Sequence, residues 1–302
     1  MTIRTLLTVP ALLAIAATTL AATTVETAYR GLSTGPLRGA RLVSLPKGTL
    51  LRAGSLTITS QHVAADVAKA VPAVKGQLQR NQFFVLEQRA TKALLGAEAR
   101  TWAKAQNPST ARQPEDTLIR AYLQSRVTNV AVTDMEARTF YSANKDMVNG
   151  ATYEAVAKDL KSYLLGQKQQ AAVDAHVQSL SKRHAVEVDA AWLKRQAPPA
   201  MDNIVDRARR SGKPSMIDFG ASGCRPCDMM APILKELKSQ FAGRCTVDFV
   251  QVREQAILGA RYGVSSIPLQ VFFDKNGNEV YRHVGFLAKD KILERLAGMG
   301  VK

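Results

Sequence analysis

Ser215-Met216-Ile217-Asp218-Phe219-Gly220-Ala221-Ser222-Gly223-Cys224-Arg225-Pro226-Cys227-Asp228-Met229-Met230 decides the fold of the last third of this chain. Ser215 to Ala221 is a short apolar run of strand length, interrupted by a single acid, Asp218. Asp228 to Phe241 carries apolar residues at helical spacing, so a strand runs through a tight turn into an amphipathic helix. The two thiols fall at the junction. A helix N-terminus offers unpaired N–H groups and partial positive charge, which favour thiolate over thiol. Cys224, the outer sulfur, is therefore the expected nucleophile. Arg225 adds a full charge beside it, and Pro226 suits a first helical turn because its missing N–H is not needed there.

Two duller readings compete on the pair alone. Half of a zinc site would need two more ligands, and only Cys245 and the scattered His62, His176, His184 and His283 remain, so no metal is expected. An inert structural disulfide stays open until the context is read. Cys245, in Arg244-Cys245-Thr246-Val247, is expected to be a buried, unreactive thiol.

That context resembles the thioredoxin family over about residues 200–302. Lys213 to Phe219 resembles the family's central strand, and Cys224-Arg225-Pro226-Cys227 with Met229-Met230-Ala231-Pro232-Ile233-Leu234 its active-site helix. Arg261-Tyr262-Gly263-Val264-Ser265-Ser266-Ile267-Pro268 resembles the segment carrying the family's cis-proline, 44 residues beyond Cys224. Asp274-Lys275-Asn276-Gly277 then supplies a hairpin turn, and Val284-Gly285-Phe286 with a helix from Lys289 to Ala297 completes the order.

The resemblance implies a thioredoxin fold, a central mixed sheet flanked by helices, acting in protein thiol–disulfide exchange. Cys224 would attack a substrate disulfide and Cys227 would then release the product. Asp218 would sit buried beneath the pair with a raised pKa and take the Cys227 proton. Ile267 and Pro268, across a cis bond, would present backbone to an extended substrate, with Arg225 and Pro226 on the same rim. No cofactor is implied beyond the Cys224–Cys227 disulfide. The chain also departs from the family. Gly223 stands where a tryptophan usually precedes the first cysteine, Gly220 replaces an aromatic, and Phe249 occupies the place of a lysine near the buried acid. The first two imply a more open, less apolar rim, and the third an Asp218 that is harder to ionise. Potentials in this fold span about −270 to about −120 mV. Arg225 favours a more oxidising pair than Gly-Pro would, and the direction of electron flow, reductase or oxidase, stays open.

At the other end, Arg4 precedes an apolar run from Thr5 to about Val25 with small residues at Ala21 and Ala22, so residues 1–25 read as a signal peptide or an uncleaved anchor. A periplasmic or otherwise extracytoplasmic location follows. Residues 26–195 read as an all-α helical domain. Thr59 or Ser60 opens a helix bearing Val63, Val67 and Val71 that ends near Pro72. A longer helix from about Gln77 to Ala105 carries Phe84, Leu86, Leu94, Leu95 and Trp102. Pro114-Glu115-Asp116 begins a third, Thr133-Asp134-Met135-Glu136 fits a capping box, and a last helix runs from about Thr152 to Lys182. The region resembles the substrate-binding part of periplasmic parvulin-type folding chaperones, through Ala53 to Thr59, Val132 to Tyr141 and Ala185 to Val188. Only Asn149-Gly150-Ala151 separates Met147 from the next helix, which leaves no room for an isomerase domain. The resemblance therefore implies capture of unfolded chains without isomerase activity; a helical spacer is the plainer reading. Gln196-Ala197-Pro198-Pro199-Ala200 reads as a linker, followed by the domain 201–302.

A net charge of +16 suggests nucleic acid in a cytosolic protein. Here Lys and Arg are dispersed rather than interleaved with aromatics, and export argues against nucleic acid. The expected partners are disulfide-bearing or thiol proteins, among them unfolded exported chains, and a protein that exchanges electrons with the dithiol. A membrane is a partner only if the N-terminal run stays uncleaved, although a basic surface can also attract anionic lipid.

Overall fold

A computed structural model describes residues 22–302 apart from 108, 144 and 149. The apolar stretch read as a leader or anchor lies, up to Ala21, outside the described residues. No helix among the described residues is long and apolar enough to cross a membrane.

The described residues begin with a short helix α1 (Val25–Ala28), capped by Thr24, and then form β1 (Arg41–Val43), β2 (Thr49–Ala53) and β3 (Leu56–Thr59). A helical excursion follows: α2 (Ser60–Ala68), α3 (Pro72–Arg80), α4 (Gln82–Gln106), α5 (Glu115–Val127), α6 (Asp134–Ala143), α7 (Tyr153–Gln178) and α8 (Leu180–Arg183). The chain returns in β4 (Glu187–Asp189), which pairs parallel with β1 and antiparallel with β2, giving the order β1-β4-β2-β3. The helical reading holds for this region, but "all-α" does not: a four-stranded sheet closes its base. Its strands are three to five residues long and lie far apart in sequence, so only the Ala53–Thr59 hairpin gave a local signal.

Helix α4 is the spine of this region because Phe83, Leu86, Ala90, Leu94, Ala99 and Ala103 recur every three to five residues and are all buried. The boundaries shift where proline and asparagine intervene. Pro72 begins α3 instead of merely ending α2, and Asn81 separates α3 from α4. Glu98 on α4 ties the bundle together, accepting hydrogen bonds from Arg183 Nε (2.9 Å) and Nη2 (3.0 Å) and from Tyr122 Oη (3.1 Å). His176 and His184 Nε2 lie 3.1 and 2.8 Å from the same carboxylate. Burial opposes this charge, but Arg183 and His184 outweigh it and hold the Glu98 pKa at about 2.

The stretch read as a linker is instead the end of helix α9 (Ala190–Met201), which contains both Pro198 and Pro199. Each proline costs the helix one backbone hydrogen bond. Both are exposed, while Ala197, Ala200 and Met201 on the other side are buried, so core packing sustains the helix where local propensity would end it.

After α10 (Ile204–Arg209) come β5 (Ser215–Gly220), α11 (Arg225–Gln240), β6 (Thr246–Gln251), α12 (Ala256–Arg261), β7 (Leu269–Phe273), β8 (Glu279–Val284) and α13 (Lys289–Gly298). The second sheet has the order β6-β5-β7-β8, with β5 parallel to β6 and antiparallel to β7. This is the expected thioredoxin arrangement. Every residue of β5 is buried because both faces are covered. Met216 and Phe272 pack with Met230, Leu234 and Leu237 of α11 and with α13. Ile217, Phe219, Val271 and Phe273 pack with Val205 of α10 and Tyr262 on the opposite face.

The two regions are joined by polar contacts, buried at Arg261 and more open at Gln77. Arg261 on α12 donates from Nη2 to Gly31 O (2.9 Å) and from Nη1 to Ala200 O (2.8 Å), and pairs with Asp206 at 3.0 Å. Gln77 on α3 donates to Glu254 O (2.8 Å) and accepts from Ile257 N (3.1 Å).

Candidate active site

The sequence turns from strand to helix in four residues, and Gly223, at φ +75°, makes the reversal. Cys224 takes the N-cap position of α11 in extended conformation, with no side-chain cap, and Pro226 sits in the first turn. The two cysteines are joined as a disulfide with Cα atoms 5.2 Å apart. Cys227 is buried and Cys224 half-exposed, so one sulfur can be reached from solvent and the other is approached only through the first.

The peptide bond between Ile267 and Pro268 is cis. Cys224 Sγ lies 3.9 Å from the Ile267 carbonyl oxygen, which brings the outer sulfur and the turn together. Pro268 is buried and its carbonyl accepts from Gly285 N at 2.8 Å, while Ile267 is half-buried and Ser265 and Ser266 are exposed. Arg225 is exposed and Pro226 half-buried on the helix side of the same opening.

Asp218 lies on the strand face covered by α11 and is wholly buried. Burial raises its pKa to about 6, against a lowering contribution from Gln270, whose Nε2 donates to Oδ1 at 2.7 Å. Oδ2 has no partner. Gln270 escaped the sequence reading. The only local sign of it was one amide inside the otherwise apolar Leu269-Gln270-Val271-Phe272-Phe273.

The expectation of a less apolar rim needs correcting. Phe249 stands beside Asp218 in register, and its ring reaches over Gly220: a Cβ at Gly220 would fall 2.7 Å from Phe249 Cε2 and 3.4 Å from Cys227 Cβ. An aromatic missing from β5 is thus supplied by β6, and Phe249 (41% exposed) and Met229 (49%) leave apolar surface beside the dithiol. Cys245 is buried, and burial raises its pKa to about 11, which favours thiol over thiolate at neutral pH. Among the described residues, no cluster of His, Cys, Asp and Glu could hold a metal ion.

Comparison with known proteins gives the same picture. The family model described as Thioredoxin matches residues 199–298. Thioredoxin from Alicyclobacillus acidocaldarius is 35% identical over 96 residues, which cover 32% of this chain and 90% of that protein. Thioredoxin from Staphylococcus aureus is 38% identical over 81 residues, covering 27% of this chain and 77% of that protein. A crystal structure of chloroplastic thioredoxin z overlaps 32% of this chain and 86% of its own at 23% identity, with a TM-score of 0.30. Through residues 199–298 the chain belongs to the thioredoxin family, and so to the thiol–disulfide oxidoreductases in general.

Proposed function

We propose that this protein is an extracytoplasmic protein disulfide reductase in which Cys224-Arg225-Pro226-Cys227 exchanges electrons with clients engaged by the helical region. The Cys224 thiolate attacks one sulfur of a target disulfide, forming a mixed disulfide and expelling the other sulfur as a thiolate. Asp218 takes the proton of Cys227. The Cys227 thiolate then attacks Cys224 Sγ, the bond to the target breaks, and its electron pair leaves on the target sulfur. Two electrons have passed to the target, and a dithiol partner protein restores the pair by the reverse chemistry.

One observation carries this reading: the half-exposed Cys224 Sγ, at a helix N-cap, lies 3.9 Å from the carbonyl oxygen preceding a cis-proline. An extended client laid along Ile267 would have its sulfur within reach of Cys224. The extracytoplasmic location rests on the apolar run from Thr5. Client engagement by the arm rests on its resemblance to parvulin-type chaperones and on apolar side chains left in solvent, Met135 (75% exposed) and Val71 (63%). Met135 lines an open groove of about 710 Å³ with Asp134, Arg138, Thr139, Ser142 and Ala143.

Reduction of insulin by dithiothreitol tests the proposal. Turbidity should rise much faster with the wild type than with Cys224→Ser, the equilibrium with glutathione should place the pair on the reducing side of the glutathione couple, and equal turbidity rates would leave only a binding module.

A further inference from the structure

On the face of the second sheet beneath α11, one cross-strand row reads Phe249, Asp218, Gln270, His283 from β6 to β8. Cys227 covers this face: its Cβ lies 3.4 Å from where a Cβ would stand on Gly220, two residues along β5 on Asp218's side. Asp218 and Gln270 are both wholly buried. Among the described residues the carboxyl has a single hydrogen bond, from Gln270 Nε2, and both Asp218 Oδ2 and Gln270 Oε1 lack partners.

The other neighbours offer the acid no charge. Phe249 has no polar side-chain atom. His283 Nε2 lies 3.2 Å from Phe286 O instead, and burial holds its pKa below the ordinary value, so it is neutral at pH 7 and above. What opposes desolvation of Asp218 is the Gln270 amide. A donor to a carboxylate makes a charge-assisted hydrogen bond, strongest in the ionised form.

We propose that Gln270 is a positioning residue for thiol–disulfide exchange: its amide fixes the Asp218 carboxyl on the face under Cys227 and stabilises the ionised form that accepts the Cys227 proton. The inference rests on the exchange reaction proposed above. In that step the proton moves from Cys227 Sγ to Asp218, the Cys227–Cys224 bond forms, the Cys224–target bond breaks, and Gln270 itself gains and loses nothing. Gln270 therefore acts on the second step. The attack by Cys224, at the solvent-facing helix tip, does not depend on it.

Two measurements on the full-length protein test this. Carboxyl carbon NMR, with the Asp218 signal assigned by its loss in Asp218→Asn, follows the titration of the acid. In Gln270→Leu its midpoint should rise by about one unit or more, since a hydrogen bond to a charged group is lost. Release of a target from the Cys224 mixed disulfide should slow below that new midpoint, its pH profile moving by the same amount. Formation of the mixed disulfide, measured in a Cys227→Ser background, should be unchanged. Gln270→Met, closer in shape to glutamine, carries the same test if leucine is not accommodated. An unmoved Asp218 titration, or equal slowing of both steps, would overturn the proposal. Failure of the exchange reaction itself would show separately, as equal insulin reduction by wild type and Cys224→Ser, with the carboxyl titration still reporting on Gln270.

Discussion

Asp218 binds its proton more tightly in the folded protein than in the unfolded chain, and that difference has a stability consequence. Burial lifts its pKa from 3.8 to about 6. The stability linked to that proton is complete below about pH 4 and is lost as pH rises through about 6, a loss on the order of 2–3 kcal/mol at neutral pH. Asp218→Asn, neutral throughout, should raise the melting temperature above pH 6 and should converge with the wild type near pH 4. A pH-independent difference would mean that the acid is not desolvated in the folded state. The same residue shows how far local reading goes. An acid in an apolar strand six residues before a cysteine was visible in the sequence, and the family resemblance implied its burial. Gln270 was not, because the pairing Asp218–Gln270 bridges 52 residues and exists only through the register of β5 with β7.

At the level of elements, the α6–α7 hairpin buries little: Ala137 on α6, and Tyr153 and Leu160 on α7. Its core is Ala137, Tyr153 and Leu160 with partly covered neighbours, separate from the main core of the helical region. The expected capping box holds its start: Thr133 Oγ1 accepts from Glu136 N at 3.2 Å and Glu136 Oε2 accepts from Thr133 N at 2.9 Å. Tyr153 Oη donates to Asp134 Oδ1 at 2.8 Å and joins the two helices. Met135, in the first turn of α6, points apolar surface at water. Met135→Asp should therefore fold normally, since an acid suits a helix N-terminus. It should weaken the ability of the full-length protein, at several-fold excess, to slow aggregation of an unfolded outer-membrane protein, with insulin reduction unchanged. Undiminished protection would remove this groove from the client path. Helix boundaries such as Thr59, Pro114 and Thr133 were legible because caps act over three residues. The continuation of α9 through Pro198 and Pro199 was not, because what sustains it is packing of Ala197, Ala200 and Met201.

Across the whole molecule, Arg261 is the buried side chain that bonds to both the arm and the thioredoxin domain. It is buried between carbonyls at Gly31 and Ala200 and the carboxylate of Asp206. Removing one member of a buried pair costs about 3–5 kcal/mol, because its partner is left charged and unsolvated. Arg261→Met should lower the melting temperature and speed proteolytic cleavage between residues 202 and 213, while the isolated fragments' cysteines stay intact. Unchanged cleavage would mean that other contacts hold the regions together. The sequence by itself, through motifs at fixed spacing that resemble the thioredoxin family, located the thioredoxin domain, the Cys224–Cys227 pair, Asp218 and Pro268. Only the tertiary structure decided that Phe249 fills the space over Gly220, that Gln270 bonds to Asp218, that a sheet closes the base of the arm and that Arg261 bonds across the two regions. These are contacts between residues distant along the chain, and burial, register and charge pairing act through space, where sequence order leaves no mark.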